Sequence, residues 1–581
     1  MSSWRDTTCG ALRAEDVGRR FRLAGWADTR RDHGGLVFID LRDHTGKVQL
    51  VVNPERAPDA ASVAHEIRNE FVLQAEGEVV HRDADKVNPN MPTGEIEVQV
   101  DTLRILSRSD PLPFQIGEDV DEVLRLRYRW LDMRSDRMQR NLRLNHTVIQ
   151  AIRRTMDELG FIDVWTPSMT KGTPEGARDF LVPVRLQPGR FFALAQSPQL
   201  FKQLCMVGGL DRYYQIATCW RDEDLRADRQ FEFRQLDLEM SFVDREDVLD
   251  VLERCVVSSF EAAGREPPPT PFPRLQFADV MRRYGSDKPD LRFGLEIDDA
   301  TEITRSSQFG VFADAPVVRY LVAPRAFSRA ELARLEEIAK EWGAKGLAYL
   351  VNDGGEIRSP IAKFLSEEEL ARLAPEPGST ALFAAADEAT VTRVLGGLRA
   401  HLGRELELAA PGRDAFAWTL DFPLFEQHEE SEGWTFVHHP FTAPVAGEEH
   451  RIESDPAGVI GQHYDLIWNG WELGSGSIRI HQAEVQQAVF RVMGLSEAEQ
   501  REKFGFLIDA LRMGAPPHGG FAMGLDRFVA LMADEPDIRQ VIAFPKVASG
   551  ADPLTGAPTP MPESVLRELG IALLGEPAET R

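Results

Sequence analysis

RDEDLRADRQFEFRQLDLEMSF, residues 221–242, decides how the chain is read. A dense block of Arg, Asp and Glu gives way to strict alternation. Leu236, Leu238, Met240 and Phe242 take one parity; Gln235, Asp237, Glu239 and Ser241 take the other. Side chains alternate across a strand, so the pattern predicts a strand with one apolar face and one face of polar acceptors. Just upstream, RYYQIATCW (212–220) is rich in aromatic and β-branched residues and also reads as a strand. The two make a strand, a charged loop and a returning strand. By itself this is either a solvated hairpin or the floor of a site, and the rest of the chain has to decide.

At 581 residues the chain is too long for one core and is expected to divide into several domains. Composition is that of a globular protein, 43% hydrophobic and 28% charged, without a low-complexity tract. No apolar run reaches membrane-spanning length, and MSSWRDTTCG lacks a signal-peptide core, so a soluble, cytoplasmic protein with no membrane partner is expected. Cys9, Cys205, Cys219 and Cys255 include no CxxC pair, which argues against a zinc knuckle and a disulfide framework. The net charge of −26 argues against a protein that coats nucleic acid non-specifically, but it leaves room for a folded polyanion bound by locally gathered basic groups.

Five strand-like runs between residues 1 and 110, from FRLAGWADTRR to EIEVQVDTLRIL, fit a small Greek-key barrel of the OB type. RRDHGG (30–35) sets two arginines beside a Gly-rich turn, and Phe38 lies in the strand LVFIDLRD. Arginine with an exposed aromatic on such a barrel suits stacked single-stranded RNA; the alternative is a core Phe38 with solvated arginines. Residues 111–140 read as a hinge with a short helix, and NLRLNHTVIQAIRRTMDELGF as a helix stopped at Gly160. FIDVWTP reads as a strand ending at Pro167, and TKGTPEGARDF as a loop able to fold over a site. Residues 141–294 and 416–581 form the two parts of one domain. Alternating helices and strands at about 295–415 read as an α+β unit inserted between them, without a catalytic constellation.

Downstream come FVHHPFTAP with His438 and His439, YDLIWNGWELGSGSIRIH with Asp465, Glu472, Ser477 and Arg479, and PPHGGFAMGLDRFVALM. Leu525, Phe528, Val529 and Met532 share a helical face, which places Arg527 in a first turn where phosphate is favoured. Three separated segments thus pair Arg with carboxylates: Arg221/Glu223, Glu472/Arg479 and Asp526/Arg527. Neither a Walker loop nor a dinucleotide fingerprint is present, and no Ser-His-Asp or Cys-His set offers a nucleophile. Arginines on phosphates and carboxylates on Mg²⁺ suit a reaction run by positioning and charge neutralisation.

These segments resemble the three signature motifs of class II aminoacyl-tRNA synthetases, and nearly the whole chain is similar to the bacterial-type aspartyl-tRNA synthetases. FIDVWTP resembles motif 1, CWRDEDLRADRQFEFRQLDLEMSF motif 2 and GGFAMGLDRF motif 3; GTPEGARDF, QSPQLFKQ and GSGSIRIH resemble the aspartate-specific signatures. The resemblance implies a multidomain α+β fold: an OB-fold barrel, an antiparallel-sheet catalytic domain and an inserted α+β domain. It further implies a homodimer formed around Pro167, with ATP, L-aspartate, Mg²⁺ and tRNA(Asp) as ligands. Arg221 would hold the α-phosphate and the α-carboxylate, with Asp222, Glu223, Gln230 and Phe233 around the adenine end of ATP. Gly524, Leu525, Asp526 and Arg527 would complete the ATP site, Arg527 covering adenine and reaching the distal phosphates. Asp465, Glu472 and Ser477 would bind Mg²⁺, Glu472 also serving ATP. Arg479 and Lys202 would grip the substrate β-carboxylate; Glu175, Ser197, Gln199 and Asp237 would surround its ammonium group, and His438 would close over it. On the barrel, Phe38 would stack on the central anticodon base beside Arg31 and Gln49.

His33 stands where many strictly tRNA(Asp)-specific members carry Leu and where members that also charge tRNA(Asn) often carry His, so tRNA(Asn) stays open as a second substrate. An Arg–Lys pair leaves positive charge that an amide cannot neutralise, which disfavours an asparagine or lysine ligase. A non-catalytic RNA-binding or regulatory paralogue is the competing reading, opposed by the intact Arg221, Glu472, Arg479 and Arg527.

Overall fold

The computed structural model describes residues 4–172, 176–428 and 433–575. They form two compact units, Met1–Arg140 with Pro553–Thr555, and Asn141–Asp552 with Gly556–Arg581.

The first unit holds a closed five-stranded barrel in the order Arg20–His33, Leu36–Asp43, Gly46–Val52, Ile96–Ser107, Val72–His81. Closure follows from alternation: Val37, Ile39 and Leu41 are buried inside, and Ala60, Ala61 and Ala64 of helix Pro58–Glu66 pack on the same core. Phe38 therefore points outward and is only half-buried, which rejects the core alternative.

In the second unit an eight-stranded sheet runs Arg274–Gln276, Phe416–Leu420, His463–Trp468, Trp471–Ile478, His518–Gly524, Glu232–Ser241, Arg212–Trp220, Ile162–Asp163. All neighbours are antiparallel except the pair at each edge. Leu236, Leu238 and Met240 pack in one core with Val248, Leu252 and Val256 of helix Arg245–Ala262. Gln235, Asp237 and Glu239 take the other face, and all three are buried as well. The strand stops at Ser241. Phe242, expected on the apolar face, has φ +55° and is 77% exposed, because the left-handed turn breaks the parity. Of FIDVWTP only Ile162–Asp163 is strand, and Trp165 is exposed. Helix Asp136–Glu158 precedes it, with Gly160 at φ +77° just beyond.

Between Arg274–Gln276 and Phe416–Leu420 lies an antiparallel five-stranded sheet ordered Ile297–Asp299, Val317–Ala323, Thr380–Ala386, Ala348–Asp353, Glu356–Arg358. Helices Arg329–Glu341 and Glu388–Glu405 cover one face, while Phe312, Ile361 and Leu373 pack on the other. The sequence reading of alternating helices and strands covers both helices and the strands Ala348–Asp353 and Thr380–Ala386, whereas Val317–Ala323 and the short edge strands are not singled out by it. No helix among the described residues is long and apolar enough to cross a membrane, and none of the four cysteines forms a disulfide.

Candidate active site

A cavity of about 530 Å³ opens over the polar face of Glu232–Ser241. Among others it brings together residues from six distant stretches: Ser197, Gln199 and Lys202; the 221–237 hairpin; Lys288; His438 and His439; 470–479; and 522–527.

Its deepest wall is ionic. Lys202, on the buried side of helix Gln199–Val207, donates to Asp237 Oδ1 at 2.9 Å and to the Phe521 carbonyl at 3.2 Å. Arg479 donates from Nε to Glu239 Oε1 at 2.9 Å and from Nη2 to Glu239 Oε2 at 3.2 Å. All four side chains are at most 1% exposed. Two cations face two anions, with Lys202 also 3.5 Å from Glu239. Buried charges persist only when paired in this way. The balance is uneven in detail, since Asp237 Oδ2 is buried without a partner. Burial pushes the Asp237 carboxyl above its usual range against the pull of Lys202; burial acts likewise on Glu239, but Arg479 and Lys202 hold it below. Beside Arg479 stand Ser477, whose hydroxyl accepts from Nη1 at 2.6 Å, and His439. His438 stacks on His463 with centroids 4.3 Å apart and leaves Nδ1 unpartnered. Desolvation, then the neighbouring rings and cations, hold His438 and His439 well below the ordinary histidine value, so both are neutral at neutral pH.

The other end of the cavity is a slot. Arg221 lies over the Phe233 ring, its guanidinium carbon 5.1 Å from the centroid. Glu223 holds Arg229 at 3.1 Å. Gln230 is fixed by its amide to the Lys546 backbone, accepting at 2.8 Å and donating at 3.1 Å. Asp526 accepts from the Arg234 backbone at 3.0 Å and its guanidinium at 2.7 Å, tying helix Leu525–Met532 to the hairpin. Arg527 donates to the Asp228 carbonyl at 3.2 Å and the Glu472 carbonyl at 3.1 Å.

Several expected residues fall elsewhere. Asp222 does not line the cavity; its backbone N–H donates to the Arg178 carbonyl at 3.1 Å. Leu525 is wholly buried in the hydrophobic core. Asp465 does not line the cavity itself and takes His463 at 2.7 Å and the Ser475 hydroxyl at 2.5 Å on its Oδ1. Ser475, 3.5 Å from Glu472, joins the two carboxylates, whereas Ser477 belongs to Arg479. Both serines share one strand parity, so alternation could not separate them. Glu175 lies outside the described residues. Glu239, Ser475, His439 and Lys288 also build the site without a role assigned from sequence; for Glu239 the parity with Asp237 was the available signal.

In the barrel, Arg31, His33, Phe38 and Gln49 line one cleft. Arg31 bonds Asp40 at 3.1 Å and Gln49 at 3.3 Å, and His33 meets the Phe38 ring edge-on at 6.4 Å.

The family described as tRNA synthetases class II (D, K and N) matches residues 121–548, and the OB-fold nucleic acid binding domain matches residues 21–106. An aspartate–tRNA ligase from Geobacillus kaustophilus is 48% identical over 97% of this chain and 98% of its own. An aspartate–tRNA(Asp/Asn) ligase from Moorella thermoacetica is 50% identical over 97% of this chain and 96% of its own. The asparaginyl-tRNA synthetase of Pyrococcus horikoshii, solved with asparaginyl-adenylate, shares the fold with a TM-score of 0.60 at 19% identity, over 93% of this chain and 97% of that one. The chain belongs to the class II tRNA synthetases of the D, K and N group and, within it, to the aspartate–tRNA ligases.

Proposed function

We propose that this protein, acting in the cytoplasm as a homodimer, activates L-aspartate with ATP to aspartyl-adenylate and pyrophosphate, then transfers aspartate to the 3′ end of tRNA(Asp). The carrying observation is the buried Lys202–Asp237/Arg479–Glu239 wall with its one unpartnered carboxylate oxygen. A substrate β-carboxylate finds two cationic donors there, and its ammonium group supplies the donor that Asp237 Oδ2 lacks. Ser197 and Gln199 border the same end, and His438 lies across the wall. An asparagine side chain would leave Arg479 and Lys202 facing an amide N–H₂, which costs the matched charge.

In the slot, adenine lies between Phe233 and Arg527, with Glu223 toward its amino group, and Arg221 holds the α-phosphate against the substrate α-carboxylate. In-line attack needs alignment and neutralised charge rather than a protein nucleophile. Asp465 and Glu472 fit a hard divalent cation such as Mg²⁺. Burial and the facing Asp465 push the Glu472 carboxyl up against the pull of Lys288 and Arg527, so the two carboxylates repel one another, and one or two carboxylates plus substrate phosphates are a common Mg²⁺ set. Such an ion would supply charge neutralisation at the phosphates.

The barrel cleft takes the anticodon, Phe38 stacking on a base with Arg31 and Gln49 alongside. tRNA(Asn) is a second acceptor, a reading supported by His33 and by the dual specificity in the name of the Moorella relative. The dimer forms through the motif 1 region, supported by Trp165 at 84% exposure next to Pro167. ATP–pyrophosphate exchange across the amino acids, followed by charging of purified tRNA(Asp) and tRNA(Asn), tests the whole. Exchange with aspartate alone and charging of both tRNAs are expected. Exchange with asparagine alone would overturn the pocket assignment, and no exchange at all would favour the non-catalytic paralogue, which finds no support among the relatives.

A further inference from the structure

We propose that Lys288 is an additional contact for the polyphosphate end of ATP, and that the inserted α+β unit holds it there through Arg399. The inference rests on the ligase reading above. Lys288 lines the active-site cavity, and its Nζ is 3.9 Å from Glu472 Oε2. Glu472 also receives Arg527 on its carbonyl, so the two cations flank one residue at the carboxylate-rich end of the site. With a side chain 48% exposed, the ammonium group is free to turn toward an incoming polyanion.

The loop bearing it, YGSDKPDLRFGL (284–295), is fixed from the insertion. Arg399 of helix Glu388–Glu405 is 3% exposed and donates to four loop carbonyls: Asp290 at 2.8 Å, Gly294 at 2.9 Å, Leu295 at 3.1 Å and Phe293 at 3.2 Å. Its guanidinium also lies over the rings of Phe293 and Tyr284, at 4.6 and 4.9 Å. On the same helical face Gly396 meets Gly285 and Gly403 meets Phe293, each too closely for a β-carbon. Positions 396, 399 and 403 are one stripe of the helix, and that stripe is the seat of the loop. On the catalytic side Thr419 Oγ1 donates to the Asp287 carbonyl at 2.8 Å. A surface lysine with no task would need no such clamp one residue from its tip.

The test compares ATP with AMP, which differ in the groups Lys288 would touch. In calorimetric binding to the full chain, Lys288→Ala should weaken ATP about tenfold and leave AMP unchanged, while Lys288→Arg stays within about threefold of the parent. Arg399→Lys should reproduce the ATP-selective loss, and combining it with Lys288→Ala should add nothing further. Equal weakening of ATP and AMP by Lys288→Ala, or no weakening of either in a parent that exchanges pyrophosphate with aspartate, overturns the inference while the ligase reading stands. Additive losses in the double variant overturn the part played by Arg399. A parent with no aspartate-dependent exchange removes both.

Discussion

Asp237 and Glu239 sit two residues apart on one strand face, equally buried, yet their carboxyls shift in opposite directions. The cause is geometry: Glu239 takes both nitrogens of an Arg479 fork, whereas Asp237 keeps one oxygen bare. Glu239 is thus the residue that aims the Arg479 fork. Glu239→Gln should lower kcat/KM for aspartate activation about 100-fold, as removing one member of a buried pair costs roughly 3 kcal/mol, while AMP affinity changes less than about twofold. Parental kcat/KM with aspartate would remove Glu239 from that role. The neutral His438 and His439 carry a pH consequence. Their folded values lie well below 6.5, so under acid the unfolded chain binds more protons than the folded one. Stability from these rings is therefore intact above 6.5 and lost as pH falls below it. Thermal midpoints should drop between about pH 7 and 5.5, and a His438→Gln/His439→Gln variant should show a flatter profile over that window.

At the scale of elements, the pocket depends on how closely strands Glu232–Ser241 and His518–Gly524 approach. A β-carbon at Gly520 would collide with the Leu238 carbonyl and the Glu239 carboxylate. Gly520→Ala should cost about 1–3 kcal/mol in denaturant unfolding and weaken aspartate binding more than AMP binding. Unchanged midpoint and binding would mean the strands yield. The Arg221–Phe242 hairpin was legible because period-two alternation is a local property, and the polar parity carried into the cavity as Gln235 and Asp237, with Glu239 buried against Arg479. What was not legible is set by tertiary placement. Leu525 and Arg527 share a helical turn, but one faces the core and the other the cavity; Ser475 and Ser477 share a strand face, but only one reaches Asp465. Phe242 left its parity because a single left-handed residue ended the strand. In the insertion, amphipathic helices were readable, whereas three-residue edge strands are too short to show a period.

Across the whole molecule, the barrel has its own closed sheet and its own hydrophobic cluster, separate from those of the second unit. A fragment ending at residue 110 should therefore unfold cooperatively by circular dichroism. Within the full chain, Phe38→Ala should weaken anticodon stem-loop binding about tenfold and leave pyrophosphate exchange unchanged; loss of exchange would contradict that separation of tasks. The eight-stranded sheet has the opposite construction, because one of its interior pairings joins Glu232–Ser241 to His518–Gly524, on either side of the insertion. During synthesis at about 5–20 residues per second, the edge of Glu232–Ser241 stays without its partner for on the order of tens of seconds. That open strand carries Asp237 and Glu239 on one face, and charges there disfavour pairing with another chain, so the carboxylates of the buried ionic wall also protect the nascent chain.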